Sequence, residues 1–287
     1  MAQRTALVIG AEGFIGSRIS RRLADLDWSV IRSTKEQLDL RSPSTRWLRA
    51  LPKMDYVFCC AQCGDIDECK RNEPGTRAVN VHGMICVLEA LRDAMPVPVY
   101  LSSNMVFPGE RADYDESDAP DPRTSYGRQK LEVEEYIRKS FSRSLIVRLT
   151  KVYGVERNDR TLFTSWLDGW TRQQRVDAAT DLTIAPVYVG DVTNSLLAMI
   201  EGDRFGVRHV AGPEIASVYD FAVRLAPHFG VAATAVEPVS RTLFSAVEAR
   251  PRFQTLRSRD DVSGEGDRLT FDGMVDRLLH AYPPRVT

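Results

Sequence analysis

The chain has 287 residues, 43% of them hydrophobic and 27% charged, and a formal net charge of −1. That length suits one large α/β unit, alone or with a smaller lobe. The balanced charge gives no basic surface for nucleic acid, and no apolar run approaches the roughly 20 residues that span a bilayer.

The N-terminal "MAQR" leads straight into an apolar stretch without a leader pattern, so a cytoplasmic protein is expected. "TALVIG" is short and β-prone and predicts a buried strand. "FIGSRISRRLADL" follows with Phe14, Ile15, Ile19, Leu23 and Leu26 at helical spacing. Between them stand Gly10, Gly13 and Gly16. Strand, glycine turn and helix in that order make an anion site, because the helix start offers free N–H groups and glycine lets a pyrophosphate approach. The triplet by itself also fits an ordinary βα turn.

Further strands are predicted at "SVIRS", "YVFCCA", "VPVYLSS" and "SLIVRLT", with helices over 14–26, 43–51, 76–95 and 124–140. This alternation predicts a doubly wound parallel α/β sheet. The second strand ends in Arg32, Ser33, Thr34 and Lys35 with no acid, which suits the 2′-phosphate of NADP, although Glu12 opposes it and NAD stays open. The cysteines Cys59, Cys60, Cys63, Cys69 and Cys86 are odd in number and have no zinc spacing, so neither a disulfide framework nor a metal site is expected.

"VYLSSNMVFPG" ends a strand in Ser102 and Ser103, where a hydroxyl can meet a substrate carbonyl or simply serve a turn. In "SYGRQKLEVEEYIRK", Tyr126 and Lys130 share one helix face. An ammonium beside a phenol favours phenolate, which makes the pair a workable acid and base. The same spacing also fits a solvated face with a buried ring. After Thr150 the rhythm breaks. "LFTSWLDGWTRQQ" and "SVYDFAVRLAPHF" read as helices, "APVYVGDV" as a strand leading into the helix "TNSLLAMIE", "RHVAG" as a further strand, and the tail as Arg/Pro/Gly-rich.

Taken together, "GAEGFIG", "LDLRSP", "AVNVHGM", "LSSNMVFPG", "SYGRQK", "VRLTKVYGVERND", "PVYVGDV" and "ARPRFQTL" cover nearly the whole chain. On them the chain resembles the extended short-chain dehydrogenase/reductases, and within these the dTDP-4-dehydrorhamnose reductases and related nucleotide-sugar reductases. The resemblance implies a Rossmann-type domain over 1–150, with a segment returning near 186–212, and a C-terminal substrate-binding lobe from 151–185 and 213–287. It makes Ser103, Tyr126 and Lys130 the catalytic group, with Lys130 also on the nicotinamide ribose and Ser102 a partial stand-in for Ser103. Gly10, Gly13, Phe14, Ile15, Gly16, Arg32, Ser33, Asp39, Leu40, Ala61 and Thr150 would meet the cofactor. Asn104, Met105, Val152 and Arg250 would meet the substrate, and Asn80 would have a backbone or relay role.

Asn104 and Met105 stand where dehydratases of this superfamily carry Asp–Glu and where some epimerases carry Cys, so dehydration and ring-carbon epimerisation are not expected. Leu182 and Val187 depart from the polar pattern of the rhamnose-type enzymes, which points to a different sugar or nucleotide. The expected activity is NAD(P)H-dependent reduction of a nucleotide-linked keto sugar. A C4 epimerase is the alternative, and a nucleotide-binding regulatory subunit is the alternative of another class. The resemblance also implies a homodimer through helices 76–95 and 124–140, which carry Val79, Met84, Leu88, Leu131 and Ile137.

Overall fold

The computed structural model describes residues 3–244, 247–259 and 268–283. Residues 260–267 and 284–287 of the expected substrate lobe lie outside the described residues. Five strands form where the short apolar runs predict them: β1 (Thr5–Ile9), β2 (Ser29–Ser33), β3 (Tyr56–Cys59), β4 (Val97–Ser103) and β5 (Leu145–Leu149). Short strands follow at β6 (Val152–Tyr153), β7 (Val176–Ala179), β8 (Thr183–Ile184) and β9 (Val187–Tyr188), then β10 (Gly206–Val210), β11 (Ala216–Ser217), β12 (Val236–Val239) and β13 (Phe253–Gln254).

The central sheet runs β2–β1–β3–β4–β5–β10 with every neighbouring pair parallel. The chain leaves β1 to one side for β2 and returns to the other side for β3. That reversal opens a crevice at the carboxyl ends of β1 and β3, where such sheets bind ligands. β4 and β5 are buried at nearly every position, as strands covered on both faces must be.

Helices α1 (Phe14–Asp25), α2 (Thr45–Arg49), α3 (Ile66–Arg71), α4 (Glu73–Arg77), α5 (Met84–Leu91) and α6 (Ser125–Ser140) alternate with the strands. α7 (Leu162–Thr171), α8 (Val189–Glu201), α9 (Val218–Leu225) and α10 (Phe271–Ala281) follow. Ile19 and Leu23 of α1 and Val192 and Leu196 of α8 pack on one face of the sheet. Leu48, Met84, Leu88, Val133 and Ile137 pack on the other. A separate apolar core joins Phe163, Trp166 and Trp170 to Phe221, Leu225, Phe271 and Leu278.

Three local expectations need correction. The helix over 76–95 is broken into α4, a π-helical stretch Ala78–Gly83, α5 and a final tight turn Arg92–Ala94. In "APVYVGDV" only Val187 and Tyr188 pair, with β6 rather than the central sheet, and α8 already starts at Val189. The tail contains α10, whose apolar positions Phe271, Met274, Val275 and Leu278 are all buried. Of the residues named for the dimer helices, Met84, Leu88 and Ile137 are at most 1% exposed within one chain, and Val79 and Leu131 are partly buried.

Candidate active site

The groove at the β1–β3 crevice measures about 520 Å³ and is lined by Gly10, Glu12, Gly13, Ser33, Thr34, Lys35, Asp39, Leu40, Arg41 and the run Cys60–Cys63, among others. Gly10 has φ +79°, and a Cβ there would lie 2.7 Å from the Ala61 nitrogen. A Cβ on Gly16 would lie 2.2 Å from the Gly10 carbonyl oxygen. The turn is therefore closed by backbone contacts that no side chain tolerates. Gly13 caps α1 with extended backbone and no side-chain cap, which leaves the first-turn N–H groups, from Phe14 and Ile15 onward, to an anion.

The Ser33 hydroxyl accepts from Gly10 N at 3.3 Å, fixing the end of β2 to the turn. Arg32 is exposed and is not part of the groove lining, because alternate strand residues face opposite ways. The cations that do line it are Lys35 and Arg41. Arg41 grips Asp39 and, with its own backbone N–H, holds that carboxyl down to about 2. Thr150 is also turned away: its hydroxyl donates to the Ala185 carbonyl, tying β5 to the later segment. Val152, expected to meet the substrate, is half-buried and packs against the core on the α1–α8 face of the sheet.

Beside the groove, Ser103, Tyr126 and Lys130 are 8%, 7% and 2% exposed. β4 delivers Ser103, whose hydroxyl donates to Asn104 Oδ1 and accepts from Met105 N, both at 3.2 Å. α6 delivers the other two. Its N-cap, Thr124, accepts from Gly127 N at 3.0 Å, and the Glu248 carboxylate accepts from Ser125 N at 2.9 Å. The Tyr126 ring packs with Met105 and Cys69, and its hydroxyl donates to Gln62 Oε1 at 3.4 Å. Lys130 Nζ donates to the Leu101 carbonyl at 2.7 Å and lies 5.7 Å from the Tyr126 ring centroid.

Two expectations at this site change. Burial, then the Cys69 thiol, push the Tyr126 phenol upward, against hydrogen bonds from Gln62 and Ser103 that lower it. Desolvation thus outweighs the lowering expected from Lys130, whose own ammonium burial pushes down to about 7. Ser102 cannot stand in for Ser103, because it faces the other way and bonds the buried Glu134.

A single run of chain joins this group to a second cavity. Cys60–Cys63 line the groove, while Gly64–Asp67 line a cleft of about 420 Å³ that also meets Lys151, Trp166, Leu182 and Arg250. Asn80, turned inward by the π-helical stretch, fixes the middle of that run. Its Oδ1 accepts from Cys63 N at 2.7 Å and its Nδ2 donates to Cys63 O at 3.0 Å and to Gln129 Oε1 at 2.8 Å. Leu182 faces the cleft, whereas Val187 is fully buried in the core. Sequence reading missed Gln62, Asp67, Lys151 and Glu248. Of these only Gln62 had a local signal, as the residue next to Ala61 in "CCAQ".

A parallel sheet with a glycine turn at its switch point and a second, apolar lobe beyond is the architecture of the extended short-chain dehydrogenase/reductases. The chain belongs to the RmlD substrate binding domain family, which matches residues 4–270. It is 31% identical over 280 residues to the probable low-salt glycan biosynthesis reductase Agl14 of Haloferax volcanii, covering 91% of each chain. It is 28% identical over 261 residues to the dTDP-4-dehydrorhamnose reductase of Mycobacterium tuberculosis, covering 88% of this chain and 84% of that one. The crystal structure of dTDP-4-dehydrorhamnose reductase from Bacillus anthracis in complex with NADP shares the fold, with a TM-score of 0.86 at 21% identity over 97% of this chain and 99% of that one.

Proposed function

We propose that this chain is an NADPH-dependent reductase of a nucleotide-linked keto sugar, with Ser103, Tyr126 and Lys130 at the reacting carbonyl. The observation that carries the reading is Tyr126, which bonds Gln62 of the groove, packs near Ile66 of the Arg250 cleft and has Lys130 Nζ 5.7 Å from its ring centroid. The bound nicotinamide would supply hydride. Ser103 holds the carbonyl oxygen by a hydrogen bond, and Tyr126 gives it a proton. Lys130, when protonated, puts a positive charge behind the phenol and would reach the ribose. The relatives are named reductases of this substrate class. Steady-state oxidation of NADPH with a panel of nucleotide-linked 4-keto sugars tests the reading. Epimerised product without net NADPH loss would favour C4 epimerisation by the same residues, and nucleotide binding without any turnover would favour the regulatory-subunit reading.

Thr34 and Lys35 in the groove lining favour the 2′-phosphate, against Glu12 and with Arg41 held by Asp39. Fluorescence titration is expected to give NADPH about tenfold tighter binding than NADH, and Gly13→Val no binding of either. Equal affinities would remove the NADP preference and leave the fold untouched. Arg250 gives the cleft a cation for the diphosphate, so Arg250→Ala is expected to raise KM for the sugar nucleotide about tenfold and leave NADPH affinity alone. Unchanged KM would move the diphosphate elsewhere.

A cytoplasmic location goes with this chemistry and with five cysteines that are all free. No helix among the described residues is long and apolar enough to cross a membrane. Pairing of two copies through α5 and α6 rests on the resemblance. Light scattering at micromolar concentration should show a dimer, and a monomer alone would end that part of the proposal.

A further inference from the structure

Arg250 already has a carboxylate bound to it. Its Nη2 lies 2.9 Å from Asp67 Oδ2, with both side chains 16% exposed, and its Nε donates to the Phe244 carbonyl at 3.2 Å. The Asp67 carboxylate is only half satisfied, since its Oδ1 is buried with no hydrogen-bond partner. Asp67 is held in place by its helix: the Asp65 side chain caps α3 by accepting from Glu68 N at 3.0 Å. Both members of the pair line the cleft, and there the carboxylates Asp65, Asp67 and Asp177 outnumber the cations Lys151 and Arg250.

A diphosphate entering this cleft therefore meets an arginine whose fork is engaged. Gripping a phosphate with two parallel N–H donors requires those donors to leave Asp67. Asp67 and the phosphate oxygens then repel each other at short range in a partly enclosed site. We infer that Asp67 is a specificity-setting residue, a built-in counter-ion that the diphosphate must displace from Arg250. A neutral keto sugar or a singly charged ligand lacks the charge to win that exchange, so the pair sets a threshold of charge for entry. The inference rests on the nucleotide-sugar reading above and assigns it a cost of entry that no positively charged residue reveals.

Isothermal titration with dTDP, and with thymidine as the uncharged probe, tests it. The native chain should bind dTDP more tightly than thymidine. Asp67→Asn keeps the shape and an acceptor for Arg250 but removes the charge, and should lower the dTDP Kd about tenfold. Asp67→Ser removes the charge with a different side chain and should do the same. Asp67→Glu keeps the charge and should stay within about twofold of the native chain. In an Arg250→Met background the gain from Asp67→Asn should shrink below about twofold, because the exchange partner is gone. NADPH affinity should be constant throughout, which reports that each variant is folded. Native binding of dTDP with no gain on losing the Asp67 charge would overturn the role of Asp67 and leave the reductase reading standing. An equal gain without Arg250 would also overturn it, as a bulk charge effect. A native chain that binds none of dTDP, UDP and GDP would remove both readings; where UDP or GDP binds instead of dTDP, the same variants are read with it.

Discussion

Replacing Tyr126 by Phe is expected to lower kcat for keto-sugar reduction by about 10²–10⁴-fold, the usual contribution of a positioned general acid. The ring stays, so its packing with Met105 and Cys69 and the affinity for substrate and NADPH should change little. The lost hydroxyl is the one proposed to protonate the carbonyl oxygen, and the single proton of Ser103 beside it must turn from Asn104 Oδ1 before it can hold that oxygen. Burial holds the phenol proton in place well into the alkaline range, so the donor is loaded at neutral pH. Reduction needs that proton, and its loss should lower kcat as pH rises through the raised phenol pKa. Lys130 sets an earlier limit. Its pKa is pushed down to about 7, so the free chain loses that positive charge as pH rises through neutrality. Lys130→Met should therefore lower kcat and weaken NADPH binding together. Stopped-flow and steady-state NADPH oxidation across pH read all three effects, and near-native turnover by the Phe variant would show the mechanism to be wrong.

The second large effect is on stability. Arg148 and Glu134 pair at 2.7 Å with side-chain exposures of 2% and 0%, in the layer between β5 and α6. Glu134 also accepts from the Ser102 hydroxyl, and the Arg148 guanidinium lies 5.0 Å from the Phe107 ring centroid. Arg148→Met should destabilise the fold by about 3–5 kcal/mol, because it strands a buried carboxylate with one hydroxyl for company. Changing Glu134 to Leu in the same chain should recover a substantial part, since an apolar pair of similar volume avoids the desolvation cost. Urea denaturation midpoints measure both. A single-variant loss below about 1 kcal/mol would mean that water reaches the pair.

What the sequence disclosed and what it hid divide along a physical line. Gly10, Gly13 and Gly16 were legible because a backbone approach to phosphate leaves its mark within seven residues. Tyr126 and Lys130 were legible because one helical turn fixes their common face. The face of a strand residue was not: Arg32 and Thr150 lie in the right segments, yet one points outward and the other bonds Ala185. Residues placed by distant partners left no local trace. Glu248 reaches the start of α6 across 123 positions, and Asp67 meets Arg250 only through the closure of the cleft. The π-helical stretch at Ala78–Gly83 shares its composition with ordinary helix, so its inward turn of Asn80 emerges only from packing.

The run from Cys60 to Asp67 is one wall of two rooms, pinned at its midpoint by Asn80 on both the N–H and the carbonyl of Cys63. A wall so short and so held has little freedom to serve one occupant without the other. Whatever factor the dinucleotide imposes on the sugar nucleotide's affinity through it, the sugar nucleotide imposes on the dinucleotide in return, since the coupling free energy belongs to the pair. Binding of either ligand is therefore expected to change the other's Kd by one common factor, and that factor belongs to this wall rather than to either pocket alone.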